Sequence, residues 1–214
     1  METQPERLPY RLIITRQRAS EILLSRQPGG WSLPRIELFA RSRSAEQLVA
    51  GVKQIFGLRA YCLSTAGFTA SADGSPPGRC AVLEALCRDE EAPSSTSWMS
   101  AAAAAGGAIL DHADQAAVLS SLEILNGPTV RPDRGPFAKP GWMEELLAWV
   151  TEQIEPLGLR LTGEFRQLNA SPNFSLVRIE TNGTAVWFKA TGEPNSHELR
   201  VSVALARHFP RCLP

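Results

Sequence analysis

GGWSLPRIELFARSRSAEQLVAGVKQIFGL, residues 29–58, is the stretch from which the front half of the chain is read. Ser44 can cap a helix, and Leu48, Val49, Val52 and Ile55-Phe56 recur at helical spacing until Gly57 stops it. Before the stretch, Tyr10 to Ile14 and Glu21 to Leu24 read as two paired strands, the second closed by Pro28-Gly29-Gly30. After it, strands are predicted around Arg59 to Thr69 and Arg79 to Leu86. Residues 89–108 mix DEEAPSSTSW with an alanine run and Gly106-Gly107, and leave the local conformation open. A second helix follows from about Asp111 to Leu125, with Val118, Leu119, Leu122 and Leu125 on its apolar side.

The segment GPTVRPDRGPFAKPG carries four prolines and three glycines, which disfavour both a helix and a sheet interior. The reading therefore divides the chain into a domain over 1–126, a linker over 127–141 and a second domain over 142–214. Beyond the linker, Met143, Leu146, Leu147, Val150 and Ile154 share one helix face, and Pro156 and Gly158 end that helix. Leu159 to Leu168, Phe174 to Glu180 and Ala185 to Ala190 read as three strands, the last two joined by an Asn182-Gly183 hairpin turn. A final helix is expected from near Ser196 to His208.

Lys189 is the residue that asks for an explanation, because its strand is otherwise apolar. Glu198, at the start of the following helix, is a candidate partner that would leave the ammonium aimed at phosphates. The turn Asn169–Ser175 would lie over the same phosphates and offer backbone N–H groups and the hydroxyls of Ser171 and Ser175. Taken singly, each also reads as an ordinary surface residue. In their order, over FSLVRIETNGTAVWFKATGEPNSHELRVSVALARHFP (174–210), they resemble the N-terminal lobe of the aminoglycoside-phosphotransferase-like family, relatives of the protein kinases.

That resemblance implies an incomplete kinase-like lobe of antiparallel strands and a helix over 142–214. It implies that Lys189 contacts the phosphates of ATP or GTP held with Mg²⁺, that Glu198 positions it, and that Ser171 and Asn173 belong to the phosphate loop. The partners would be a nucleotide and a small-molecule acceptor. The family's catalytic Asp, Asn and second Asp lie well after such a pair, and this sequence ends sixteen positions beyond Glu198. The expectation is thus the front part of a small-molecule kinase, inactive alone, with no catalytic and no metal residue of its own. His112-Ala113-Asp114 imitates a catalytic-loop start, but it precedes Lys189 and receives no catalytic role.

Residues 9–125 resemble a Nudix-type α/β/α sandwich in the order of their elements, so the fold class is α/β (α+β). Residues 29–58 are similar to the Nudix box, whose helix carboxylates bind the Mg²⁺ that activates water against a diphosphate. Aligned on Gly57-Leu58, however, Ala50 stands at the box arginine and Gly51 at the first helix glutamate. Gln54 and Ile55 stand at the metal-binding pair, and Ile36 and Ser42 replace the leading glycine and the earlier glutamate. Glu37, Glu46 and Glu84 are scattered and read as surface residues. Two further readings follow: a non-catalytic binding or scaffold protein with two degenerate modules, and an active Nudix hydrolase.

Twenty-two basic and twenty-two acidic residues balance to zero net charge, which gives no reason to expect a nucleic-acid partner. Arginines from Arg7 to Arg59 nevertheless make the first third mildly basic, read as a solvated surface. The four cysteines form no Cys-x-x-Cys pair and read as buried free thiols. No apolar run approaches the ~20 residues of a bilayer span, and the expected location is cytoplasmic.

Overall fold

A computed structural model describes residues 6–40, 42–69, 78–86, 93–106, 109–126, 135–192 and 197–208. The fold is mixed α/β. Its larger sheet is built from β1 (Arg7–Arg16), β2 (Glu21–Gln27), β3 (Gly30–Ser32), β4 (Arg35–Phe39), β5 (Ala60–Thr69), β6 (Gly78–Ala85) and β7 (Thr96–Ser100). The main path runs β3-β2-β1-β6-β5, with β4 paired to β1 and β7 to β2. Strands β1 and β6 are parallel, with Leu12 opposite Ala81 and Ile13 opposite Val82.

Strand β1 is buried on both faces, which is why Leu12, Ile13 and Ile14 run as consecutive apolar residues instead of alternating with polar ones. Leu12 and Ile14 join Leu48, Val52 and Phe56 of α1 (Ser44–Phe56) on one face. Ile13 points the other way, into a cluster with Tyr61, Val82, and Ala117 and Val118 of α3 (His112–Asn126). The sheet therefore lies between two helical layers. A short helix, α2 (Ala101–Gly106), adds Ala101 and Ala104 to the α3 side.

Helix α1 ends as expected, with Gly57 in the left-handed conformation at φ 69° and its N–H bonded to the Lys53 carbonyl. Its start differs from the sequence expectation. Arg43 occupies the cap position without a side-chain hydrogen bond. Gln47 secures the entry instead, accepting from Phe39 N (2.9 Å) and donating to Phe39 O (3.1 Å).

The second sheet has the order β10-β9-β8, formed by β8 (Leu161–Ser171), β9 (Phe174–Thr181) and β10 (Val186–Thr191). Helix α4 (Trp142–Ile154) precedes it and α5 (His197–His208) follows it. Residues from both sides of the proline-rich segment share one core: Trp142, Met143, Leu146, Val150, Val177 and Ile179 sit with Ile13, Tyr61 and Val82. Gln167 of β8 reinforces the junction by accepting from Cys62 N (2.7 Å) and donating to Cys62 O (2.9 Å).

This arrangement corrects the expectation of a kinase-like lobe. The three antiparallel strands form, but β8 packs against α1 and β5 of the front half. Helix α5 does not close over the sheet: Val201, Val203 and Leu205 are 51%, 41% and 43% exposed. Among the described residues, no helix is long and apolar enough to cross a membrane.

Candidate functional site

An opening among the described residues lies along 29–35. A cleft of about 670 Å³ is walled by Gln27, Trp31 and Arg35 on one side, by Ile55 and Phe56 at the end of α1, and by Asp111. Its wall is held from behind by Asp114, the acid of the His-Ala-Asp triplet. Asp114 is fully buried on α3 and accepts from Arg11 Nε at 2.9 Å and from Leu33 N at 2.8 Å. Arg35 reaches it at 3.8 Å, with its own side chain 58% exposed towards solvent. A buried carboxylate without such partners would be strongly disfavoured, so the arginine and the amide fix where the 31–35 segment runs. The Asp111 carboxylate accepts the Asp114 N–H at 2.7 Å and caps α3 beside the cleft.

The position that should carry the first box glutamate is filled by hydrocarbon. A Cβ at Gly51 would lie 2.0 Å from Ile36 Cδ1. Ile36 replaces the leading glycine of the box, so the two exchanges are complementary: a larger residue on the loop fills the space left by a smaller one on the helix. Ile55, at the place of a metal-binding glutamate, is 53% exposed and lines the cleft.

The remaining acids are engaged elsewhere. Glu46 pairs with Arg166 and lies 3.8 Å from Arg43, and Glu37 pairs with Arg7 at 3.7 Å. Among the described residues, no group of three His, Cys, Asp or Glu side chains could hold a metal ion. Among the described residues no carboxylate set fits the Mg²⁺ implied by the box.

Glu84 departs from its expected surface position. It is buried, and its Oε2 accepts from the Tyr61 hydroxyl and from Gly141 N (2.6 Å), while Oε1 accepts from Arg18 N (3.2 Å). Gly141 lies at the N-terminus of α4 with φ 90°, so the carboxylate also faces the positive end of that helix. Arg18 is the middle of three consecutive left-handed residues, Gln17, Arg18 and Ala19. Burial pushes the Glu84 carboxyl above its ordinary value, against the lowering effect of the hydrogen bonds from Tyr61, Gly141 and Arg18. Tyr61 is pushed up by burial and then by the charge of Glu84. Cys62 and Cys80 are buried free thiols, each pushed up to about 12 by desolvation. Cys87 and Cys212 lie outside the described residues.

The residues expected to form a phosphate site are partly brought together. Lys189 and Glu198 form an ion pair, with side chains 51% and 39% exposed. Ser171 Oγ donates to Phe174 O at 3.3 Å. Asn173 and Pro172 act through their carbonyls, accepting from Gly192 N (2.6 Å) and Phe137 N (3.2 Å). Ser175 pairs in register with Ala190, so its side chain leaves the sheet on the face opposite Lys189, where its hydroxyl is buried without a hydrogen-bond partner.

No family model matches the chain, and no curated protein matches it. Solved structures do. A hydrolase of the NUDIX family from Clostridium perfringens is 10% identical at TM-score 0.44, over 57% of this chain and 99% of that one. The MutT protein of Methanosarcina mazei is 17% identical at TM-score 0.42, over 56% and 94%. A Sinorhizobium meliloti protein described as an oxidoreductase matches at 16% identity and TM-score 0.41, and there the chain spans only 37% of the other protein.

The kinase-like identity and function are corrected on these findings. The hydrolase structures cover little more than half the chain, and no phosphotransferase family model or curated relative accompanies them. The exposed Lys189–Glu198 pair is an ion pair on a helix that does not pack over the sheet, and ATP has no support as a cofactor. TM-scores below 0.5 assign this chain no activity.

Proposed function

We propose that this chain is a Nudix-like module that binds a nucleoside diphosphate derivative without hydrolysing it. The order of the elements supports the reading, with α1 following β4 and leading into β5 beneath a sheet covered by helices on both faces. So does the retained frame of residues 29–58. The observation that carries it is the contact between Ile36 and the space above Gly51: hydrocarbon stands where a hydrolase of this kind needs a metal-binding carboxylate, while the cleft beside it stays open.

The cleft offers what such a ligand needs. Trp31 supplies a ring face, and the Arg35 guanidinium is suited to a diphosphate. Asp111 and Gln27 add polar groups for the sugar or base edge. Calorimetric titration with ADP tests the proposal. Binding is expected with the same affinity in Mg²⁺ and in EDTA, weakened at least fivefold by Arg35→Ala. Absence of ADP binding, or binding that requires Mg²⁺, overturns it.

A further inference from the structure

A second opening lies where Pro136–Pro140, α4 and β10 meet. It has about 440 Å³ and is lined by Phe137, Trp142, Trp149 and Phe188, with Lys139 and Glu145 among its charged groups. The helical spacing of 142, 145, 146 and 149 puts both tryptophans, Glu145 and Leu146 on one stripe of α4. Trp142 is buried at the floor, and Phe137 meets it edge-on at 5.3 Å and meets Phe188 edge-on at 6.0 Å. These contacts fix three rings. Trp149 remains 54% exposed, with its ring free to contact a ligand.

The segment that supplies Phe137 and Lys139 is held against the β8–β9 turn. Gly135 comes so near the β8–β9 turn that a Cβ there would stand 1.9 Å from the Pro172 carbonyl oxygen. Phe137 N donates to that same oxygen at 3.2 Å. Any side chain at 135 would push this segment away from the β8–β9 turn. Lys139 and Glu145 both lie exposed, and neither takes part in the ion pairs found among the described residues. One positive and one negative group thus flank an aromatic floor.

We infer that this groove binds a planar aromatic compound that carries an anionic group at one end and an N–H donor at the other. The ring stacks on Trp149 and fills the space over Trp142 and Phe188, the anion meets the Lys139 ammonium, and the N–H meets the Glu145 carboxylate. A volume of this order is that of a small-molecule pocket, so the occupant is a small molecule and not a docked helix. The site is separate from the cleft at Trp31 and does not depend on what that cleft binds.

The probe is 2-(p-toluidino)naphthalene-6-sulfonate, whose fused rings carry a sulfonate at one end and an N–H at the other. With the whole chain at neutral pH, saturable one-to-one binding is expected, with quenching of tryptophan emission. Trp149→Ala should weaken it at least fivefold, and Lys139→Glu at least threefold. Both altered side chains are exposed, so far-UV circular dichroism and the melting temperature should stay near wild type. A natively folded Trp149→Ala protein that binds the probe as tightly as wild type overturns the inference, as does binding that never saturates. If Trp149→Ala loses its fold, Lys139→Glu decides: unchanged affinity there overturns it equally.

Discussion

Two places in this molecule invite acid chemistry, and they resolve in opposite ways. At Gly51 the helix position that should present a carboxylate has no side chain, and Ile36 fills the room. At Glu84 a carboxylate is buried where the sequence reading expected none, and it binds the Tyr61 hydroxyl, the Gly141 amide and the Arg18 amide. The first place is packed with hydrocarbon. The second shows an acid serving as a joint between β6, the β1–β2 turn and the start of α4. What a carboxylate does is set by the neighbours that arrive from distant parts of the chain, and nothing local to it announces the role.

The largest effect should come from breaking the joint. Glu84→Ala leaves the buried Tyr61 hydroxyl without its acceptor, removes one of the two acceptors of Gly141 N and frees the part-buried Arg18 amide, so a loss of about 2–3 kcal/mol in urea unfolding is expected. Glu84→Gln keeps acceptor oxygen and should cost only about 1 kcal/mol. An alanine variant as stable as wild type would mean that the joint bears no energy.

The Gly51–Ile36 contact is sharpened by a double-mutant cycle. Alanine in a helix interior stabilises by roughly 0.5–1 kcal/mol relative to glycine, but at 51 it meets Ile36 Cδ1. Gly51→Ala should therefore gain little in the wild-type background and about 1 kcal/mol more after Ile36→Ala. Additive effects within about 0.3 kcal/mol would break the claim that the two positions fill one space.

A pH titration of stability separates the two places again. The Glu84 carboxyl titrates above its ordinary value in the folded chain, so the folded state holds this proton more firmly than the unfolded one. Its contribution is present below the unfolded value near 4.5 and is lost as pH rises through the folded value. Glu84→Gln should flatten that part of the stability profile, read from melting temperatures between pH 4 and 8. Gly51→Ala should leave its shape unchanged.

The smallest effect is expected at the surface. Lys53 and Glu164 are paired at 2.6 Å with both side chains more than half exposed. Their coupling energy should be a few tenths of a kcal/mol and should fade with added salt.

Much of the fold was legible because it is local. The helical spacing from Leu48 to Phe56 with Gly57 behind it gave α1, and Asn182-Gly183 gave the turn into β10. Strands β4 and β7 were missed. RIELF alternates too briefly, and TSWMS is a polar edge strand whose only apolar residues are Trp98 and Met99. The candidate cleft was not legible as a site: residues 29–35 entered only as part of the box-like stretch, and Asp114 looked like a motif decoy. Its purpose depends on Arg11, 103 positions away, and such pairings leave no mark in local spacing.

The proposed module binds a nucleoside diphosphate derivative without hydrolysing it. Incubation with ADP-ribose and Mg²⁺, followed by chromatography for AMP, tests it most directly. The account predicts recovered ADP-ribose and no AMP above the protein-free control. AMP that accumulates with time in Mg²⁺ and stops on adding EDTA would contradict it.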